Sequence, residues 1–206
     1  MTSPVTSPTV WLTSDTHFGH ANIIKYSGRP FAHADEMDEQ LIERWNQRVG
    51  DDDTIWHLGD FTLKSRGFAR RIFSRLRGRV HVLGLPWHHD SGWVPKQPGP
   101  ASDLFSASGH PIAIEPPVVV LKLPVGGERT IITLSHYPFA EWEQRWRGGW
   151  HLHGHSHGTH RGEGPKLDVG VDCFDYAPVA LEALAETMRP LITKDRKLLK
   201  GRRAEL

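Results

Sequence analysis

Five short stretches of the chain bring Asp and His together at spacings suited to holding metal ions. They are Asp15-Thr16-His17, Gly59-Asp60, His88-His89-Asp90, Ser135-His136 and Gly154-His155-Ser156-His157. Carboxylate oxygens and neutral imidazole nitrogens are donors that Mn, Fe and Zn accept. One carboxylate shared by two cations, with imidazoles completing both shells, gives a metal pair roughly 3.5–4 Å apart that can clamp a phosphate and generate hydroxide between the ions. The chain has 14 His but a single Cys, Cys173, so thiolate-rich zinc arithmetic fails and imidazole is the main candidate ligand. On an extended segment, residues two apart face the same side, which predicts that Asp15 with His17, and His155 with His157, each chelate or straddle one centre. His151 and His153 share that parity and are read as structural, and His57, within a strand, as a satisfied core histidine.

Each stretch follows a β-like apolar run or sits in a Gly-rich loop. In an α/β protein the carboxyl ends of strands deliver side chains to a common crevice. Residues 10–14, 54–58 and 80–83 read as three buried strands. Between them, Asp35 is placed to cap a helix carrying Met37, Leu41, Ile42, Trp45 and Val49 and stopped by Gly50. Phe68, Ile72, Phe73 and Leu76 make a second helix closed by Gly78. The order β-α-β-α-β predicts a mainly parallel first sheet. Residues 118–123 and 129–134 are β-branched runs joined by Pro124-Val125-Gly126-Gly127-Glu128, a hairpin by its turn chemistry. Short strands near 150–152 and 167–171 follow, then a helix from about Val179 with Leu181, Leu184, Ala185 and Met188 on its apolar face. The Gly-, Pro- and Ser-rich stretch 91–117 reads as a long surface loop over the site. The expected fold is α/β, with two mixed β-sheets packed together and flanked by helices.

At 206 residues the chain is most simply one domain. Residues 1–9 read as a disordered N-terminus, 10–190 as the domain and 191–206 as a basic, solvated C-terminal tail. Residues 194–206 carry six basic and two acidic residues, a net +4, against −3 for the rest. No signal sequence and no run of ~18 apolar residues is present, which predicts a soluble, cytoplasmic protein with no membrane partner.

With these residues in order, the chain resembles the calcineurin-like metallophosphoesterases. Their pattern is D-x-H, G-D, G-N-H-D/E, a lone His after a strand, and G-H-x-H, and the resemblance spans roughly residues 10–187. Ser14 to Asn22, Trp150 to Gly158 and Leu167 to Asp172 look like the small bacterial and phage branch. The resemblance implies a four-layer α-β-β-α sandwich and two divalent ions, Mn, Fe or Zn. Asp15, His17 and His157 would ligate one ion and His136 and His155 the other, with Asp60 bridging. The third motif departs from the pattern. Aligned as Pro86-Trp87-His88-His89-Asp90, it puts His88 in the place of the Asn ligand, His89 in the proton donor's place, and Asp90 where it orients His89. His20 and Asn22 could touch a substrate phosphate or serve in capping and packing; Arg29 presents either a phosphate-binding guanidinium or a surface ion pair. The implied activity is phosphoester hydrolysis, of diesters more than monoesters, by a hydroxide held between the metals, on a phosphoester that could be a nucleotide or nucleic acid. The alternatives are a non-catalytic protein-binding scaffold on the same fold and a nucleic-acid-processing nuclease, the latter drawing on the basic tail.

Overall fold

The computed structural model describes residues 8–84, 88–160 and 162–204. Three parallel strands form its centre: β1 (Val10–Thr13), followed by α1 (Ala21–Tyr26) and α2 (Ala34–Arg48); β2 (Thr54–His57), followed by α3 (Arg66–Phe73); and β3 (Arg79–Leu83). A hairpin of β4 (Gly99–Phe105) and β5 (Pro111–Glu115) comes next, with β5 parallel to β3. Then β6 (Val118–Val125) pairs antiparallel with β7 (Glu128–Ser135), and β8 (Trp150–His153) and β9 (Lys166–Asp168) add in parallel. The chain ends with β10 (Val179–Ala180), antiparallel to β1, and α4 (Leu184–Ala204). The result is an α/β fold with two mixed sheets, of order β10-β1-β2-β3-β5-β4 and β6-β7-β8-β9.

The period-2 alternation of the strands divides the interior. Ile55, Val80 and Val82 turn one way, into a cluster with Leu41 and Trp45 of α2, Ile72 and Phe73 of α3, and Ile112 and Ile114 of the hairpin. Leu12, Trp56 and Leu83 turn the other way, into a cluster with Ile132, Leu134 and Leu152 of the second sheet and Met188 of α4. Fully burying each such side chain contributes ~1.5–3 kcal/mol, so the central strands are held from both faces.

Several sequence expectations are corrected. The stretch 91–117 is not a loop: it contains β4 and β5, because Ile112 and Ile114 are buried in alternation and Ala101 and Leu104 are buried on either side of an irregular register in β4, despite the surrounding Gly and Pro. The helix expected from Val179 starts at Leu184, since Val179 and Ala180 pair with Leu12 and Trp11. The cap of α2 is His33, whose side chain accepts from Glu36 N, rather than Asp35. The boundary at residue 190 falls inside α4, and the basic tail is helical rather than frayed to Ala204. Within it, Asp195 is buried against Arg145 with Nη2 to Oδ1 at 2.7 Å. The disorder expected for 1–9 falls mostly on residues outside the described ones, as do Pro86 and Trp87 of the third motif. Among the described residues, no helix is long and apolar enough to cross a membrane.

Candidate metal centre

The loops after β1 and β2 are zipped together by backbone hydrogen bonds from Asp15 N to Gly59 O and from His17 N to Asp60 O, both 3.0 Å. The loops after β7 and β8 are joined by Gly154 N to His136 O at 3.0 Å. His155 N then donates to both oxygens of Asp15, at 3.0 and 2.9 Å, locking the two pairs of loops to each other. All four loops leave the carboxyl ends of their strands.

The convergence does not arise from extended segments, as the D-x-H and H-x-H spacing predicts. Asp15, His17, Asp60, His155 and His157 all have left-handed backbone, with φ between 45° and 67°. Only a few per cent of non-glycine residues adopt this conformation, and it clusters at functional sites where surrounding structure enforces it. The tight curl brings side chains two apart in sequence around to one side. It also needs close backbone approach: a Cβ on Gly154 would collide with Ser14 Oγ and the Asp15 carboxylate.

Two adjoining groups of ligand-type atoms result. Asp15, His17 and His157 offer one set, and Asp60, His88, His136 and His155 another, each with its atoms within 4.8 Å of one another. Asp60 lies between them: its Oδ2 is 3.5 Å from Nε2 of both His17 and His136. His88 Nδ1 meets the other carboxylate oxygen of Asp60 in a very short contact. His17 Nε2 and His136 Nε2 are buried with no hydrogen-bond partner among the described residues. A buried polar atom without a partner costs ~1–3 kcal/mol, and a cation at these nitrogens would remove that cost.

The electrostatics agree. Burial, helped by the charges of Asp15 and Asp90, pushes the Asp60 carboxyl up to about 9. Burial pushes Asp15 up to about 7 against the pull of His157. Burial holds His17 well below the usual imidazole range and lowers His88 to about 4. His157 is the exception: against burial, its bond to Asp172 and the charge of Asp15 raise it. Imidazoles held neutral by burial around the Asp60 carboxyl make a donor set that a divalent cation completes.

The surrounding residues revise several assignments. Arg29 is buried and uses all five N–H donors internally, on both oxygens of Asp172, on Asp15 O and Thr16 O, and on Met37 Sδ. It is neither a substrate-facing guanidinium nor a surface ion pair, because its donors are exhausted in holding the first loop. Asp172 passes this restraint on, accepting from His157 Nδ1 at 2.7 Å. Asp90 does not orient His89. It accepts from Phe61 N, Thr62 N and Trp93 Nε1, and so clamps the backbone that carries Asp60. Asn22 is exposed on α1. His20 stays close, its ring 5.6 Å from that of His17 and 6.3 Å from that of His89. His89 is 40% exposed, with Nε2 4.0 Å from Asp60 Oδ2. His57 is buried between Thr16 Oγ1 and Gly59 N, as a satisfied core histidine should be. His151 accepts from Phe139 N, and His153 Nδ1 lies 2.9 Å from Gly154 O.

Two contributors escape the sequence reading. Tyr137 stacks edge-on against His136 and His155, with centroids 5.0 and 4.6 Å away, and its position directly after His136 was the available signal. Asp168 holds the G-H-x-H loop by accepting from Ser156 Oγ and Gly158 N.

No family model matches the chain. It is 30% identical over 186 residues to the Uncharacterized protein MJ1445 of Methanocaldococcus jannaschii, covering 86% of this chain and 89% of that one. The Gene 66 protein of Mycobacterium phage D29 is 29% identical over 172 residues, covering 72% and 78%. That of Mycobacterium phage L5 is 26% identical over 202 residues, covering 80% and 86%. Among solved structures, the chain is similar to the protein of unknown function AQ665 from Aquifex aeolicus, with a TM-score of 0.62 and 21% identity, over 88% of this chain and 100% of that one; this likeness bears on the fold alone. The chain belongs to the same family as the Methanocaldococcus protein.

Proposed function

We propose that this member of the MJ1445 family is a dinuclear metal-dependent phosphoester hydrolase of the calcineurin-like metallophosphoesterase kind, acting on diesters in preference to monoesters. The observation that carries the proposal is the pair of adjoining ligand groups with Asp60 between them. Asp15, His17 and His157 would hold one divalent ion, Mn, Fe or Zn, and His88, His136 and His155 the other, with Asp60 shared. When bound, such ions supply Lewis-acid polarisation of phosphoryl oxygens and activate water at neutral pH. The finer architecture belongs to the same reading: a four-layer α-β-β-α sandwich, supported by the apolar cluster that the two sheets share.

The chain's own residues would do the rest. His89, at the exposed rim, would protonate the leaving oxygen, and His20 beside it would contact the phosphoryl group. Arg29 has no donor left to neutralise the second charge of a monoester dianion, which favours the monoanionic diester. His89→Ala should therefore slow alkyl diesters by roughly 10²–10⁴-fold, the usual worth of general acid catalysis, and p-nitrophenyl diesters much less. Equal losses on both, read as kcat/KM, would argue against an acid role.

Two further results are expected from metal titrations. Asp60 at about 9 and Asp15 at about 7 are largely or partly protonated at pH 7, whereas His88 at about 4 is already neutral. Metal must displace the carboxyl protons, so Mn²⁺ binding at pH 7 should release about one to two protons, and affinity should fall as pH falls from 8 to 6. Unbuffered indicator titration showing no release, with affinity flat in pH, would count against the ligand set. Gly154→Ala should press on Asp15 and weaken one of two metal sites by roughly 10–100-fold, the scale of losses when support around a ligand is disturbed. Two sites of undiminished affinity by calorimetry would contradict this.

A further inference from the structure

At the far end of the second sheet from the metal centre, four guanidinium-bearing residues line one cavity of about 350 Å³. They are Arg129 at the start of β7, Arg147 before β8, and Arg189 and Arg196 on α4; Glu128 is the one carboxylate residue lining it with them. All four arginines are exposed. Among the described residues none of the four pairs with a carboxylate, whereas Arg44, Arg66, Arg70, Arg75 and Arg79 each do. Arg196 is fixed by donating from Nη2 to Arg147 O at 2.7 Å. Arg147 lies over the ring of Trp146, 4.3 Å from its centroid, and Trp146 is itself 54% exposed.

The positive charge does not stop at this cavity. A second one, of about 540 Å³, shares Arg189 and Thr193 and adds Lys194 and Lys197, with Glu186 as its one carboxylate residue. From Arg189 to Lys197 the cations extend along α4 for ~12 Å, at 1.5 Å per residue. A single small anion would need one focused cradle. A row of six cations against two glutamates across two adjoining cavities, with an exposed aromatic beside them, suits a series of phosphates and a stacked base.

We propose that this face binds the backbone of a single-stranded nucleic acid, with Trp146 as a stacking surface. The site is separate from the metal centre: Arg129 and His136 stand at opposite ends of β7, ~23 Å apart at ~3.3 Å per residue. The proposal does not rest on hydrolysis at the metal centre, and its test is run in chelator.

Fluorescence anisotropy of a labelled oligonucleotide of about 20 nucleotides, as single-stranded RNA, single-stranded DNA and duplex, would be followed against salt with the full chain. Single strands should bind. Arg129→Glu with Arg189→Glu should weaken binding at least ~10-fold at low salt and flatten the slope of log K against log salt by about 1.4, two phosphates at ~0.7 each. Trp146→Ala should weaken single strands about 10-fold and spare the duplex. Unchanged melting temperatures would show that the exposed substitutions leave the fold intact. The proposal is overturned if the wild type does not bind, if the double reversal leaves affinity and slope unchanged, or if tripolyphosphate competes as well as the oligonucleotide at equal phosphate.

Discussion

Asp60→Asn should remove both metal equivalents at once and take phosphodiester hydrolysis with them, by roughly 10³-fold or more, equivalent to ~4 kcal/mol of transition-state stabilisation. The expectation follows from position. Asp60 Oδ2 is equidistant, at 3.5 Å, from the partnerless Nε2 atoms of His17 and His136, which belong to different ligand groups. Asp60 groups with His88, His136 and His155, and its 3.5 Å approach to His17 links it to the other group. An amide keeps the shape and one neutral oxygen but loses the charge that draws two cations together. The same substitution should leave the metal-free fold intact or slightly more stable, because burial already disfavours the ionised carboxyl. Metal analysis of the purified variant beside the wild type, with circular dichroism to confirm folding, reads both effects. A variant that retains two equivalents and full activity would remove Asp60 from the centre.

Arg29→Met should be among the most destabilising single changes in the chain, costing about 3–5 kcal/mol. The guanidinium is 4% exposed, and each of its donors has a partner. Removing it leaves the half-buried Asp172 carboxylate without its main counter-charge and frees the carbonyls of Asp15 and Thr16. For a domain of this size each kcal/mol lowers Tm by roughly 2–4 °C, so the melting temperature should drop well outside experimental scatter. The position of His157 should suffer too, since Asp172 fixes its Nδ1. A substrate-contacting arginine would behave differently: Tm would hold and KM would rise. That second pattern would return Arg29 to the substrate side.

What the sequence makes legible here is the part governed by local rules. Short apolar runs followed by Asp, Gly or His mark β1, β2, β3, β7 and β8, and the residues beyond them are the seven that the structure gathers into two groups. Binary patterning and turn chemistry are short-range, so they read correctly. The β4–β5 hairpin is missed because its buried positions, Ala101, Leu104, Ile112 and Ile114, sit among Gly, Pro and Ser that dominate a compositional reading. The destination of Arg29 is set by Asp172, 143 residues away, and that of the basic tail by Arg145, 50 residues from Asp195. No local pattern carries such pairings. Asp90 is misread for a related reason: adjacency to His89 suggests a partner, but the short helical turn at His89–Gly92 points its carboxylate back to the Asp60 loop. The left-handed backbone at five of the gathered residues was invisible too, since none of them is glycine.

The measurement that tests the central claim most directly is hydrolysis of bis(p-nitrophenyl) phosphate by protein stripped of metal with chelator and then titrated with Mn²⁺, with bound metal counted in the same samples. The dinuclear reading predicts no turnover in the stripped protein and recovery that saturates at two equivalents per chain. Folded protein that takes up no metal, or that hydrolyses the diester equally well in chelator, would contradict it.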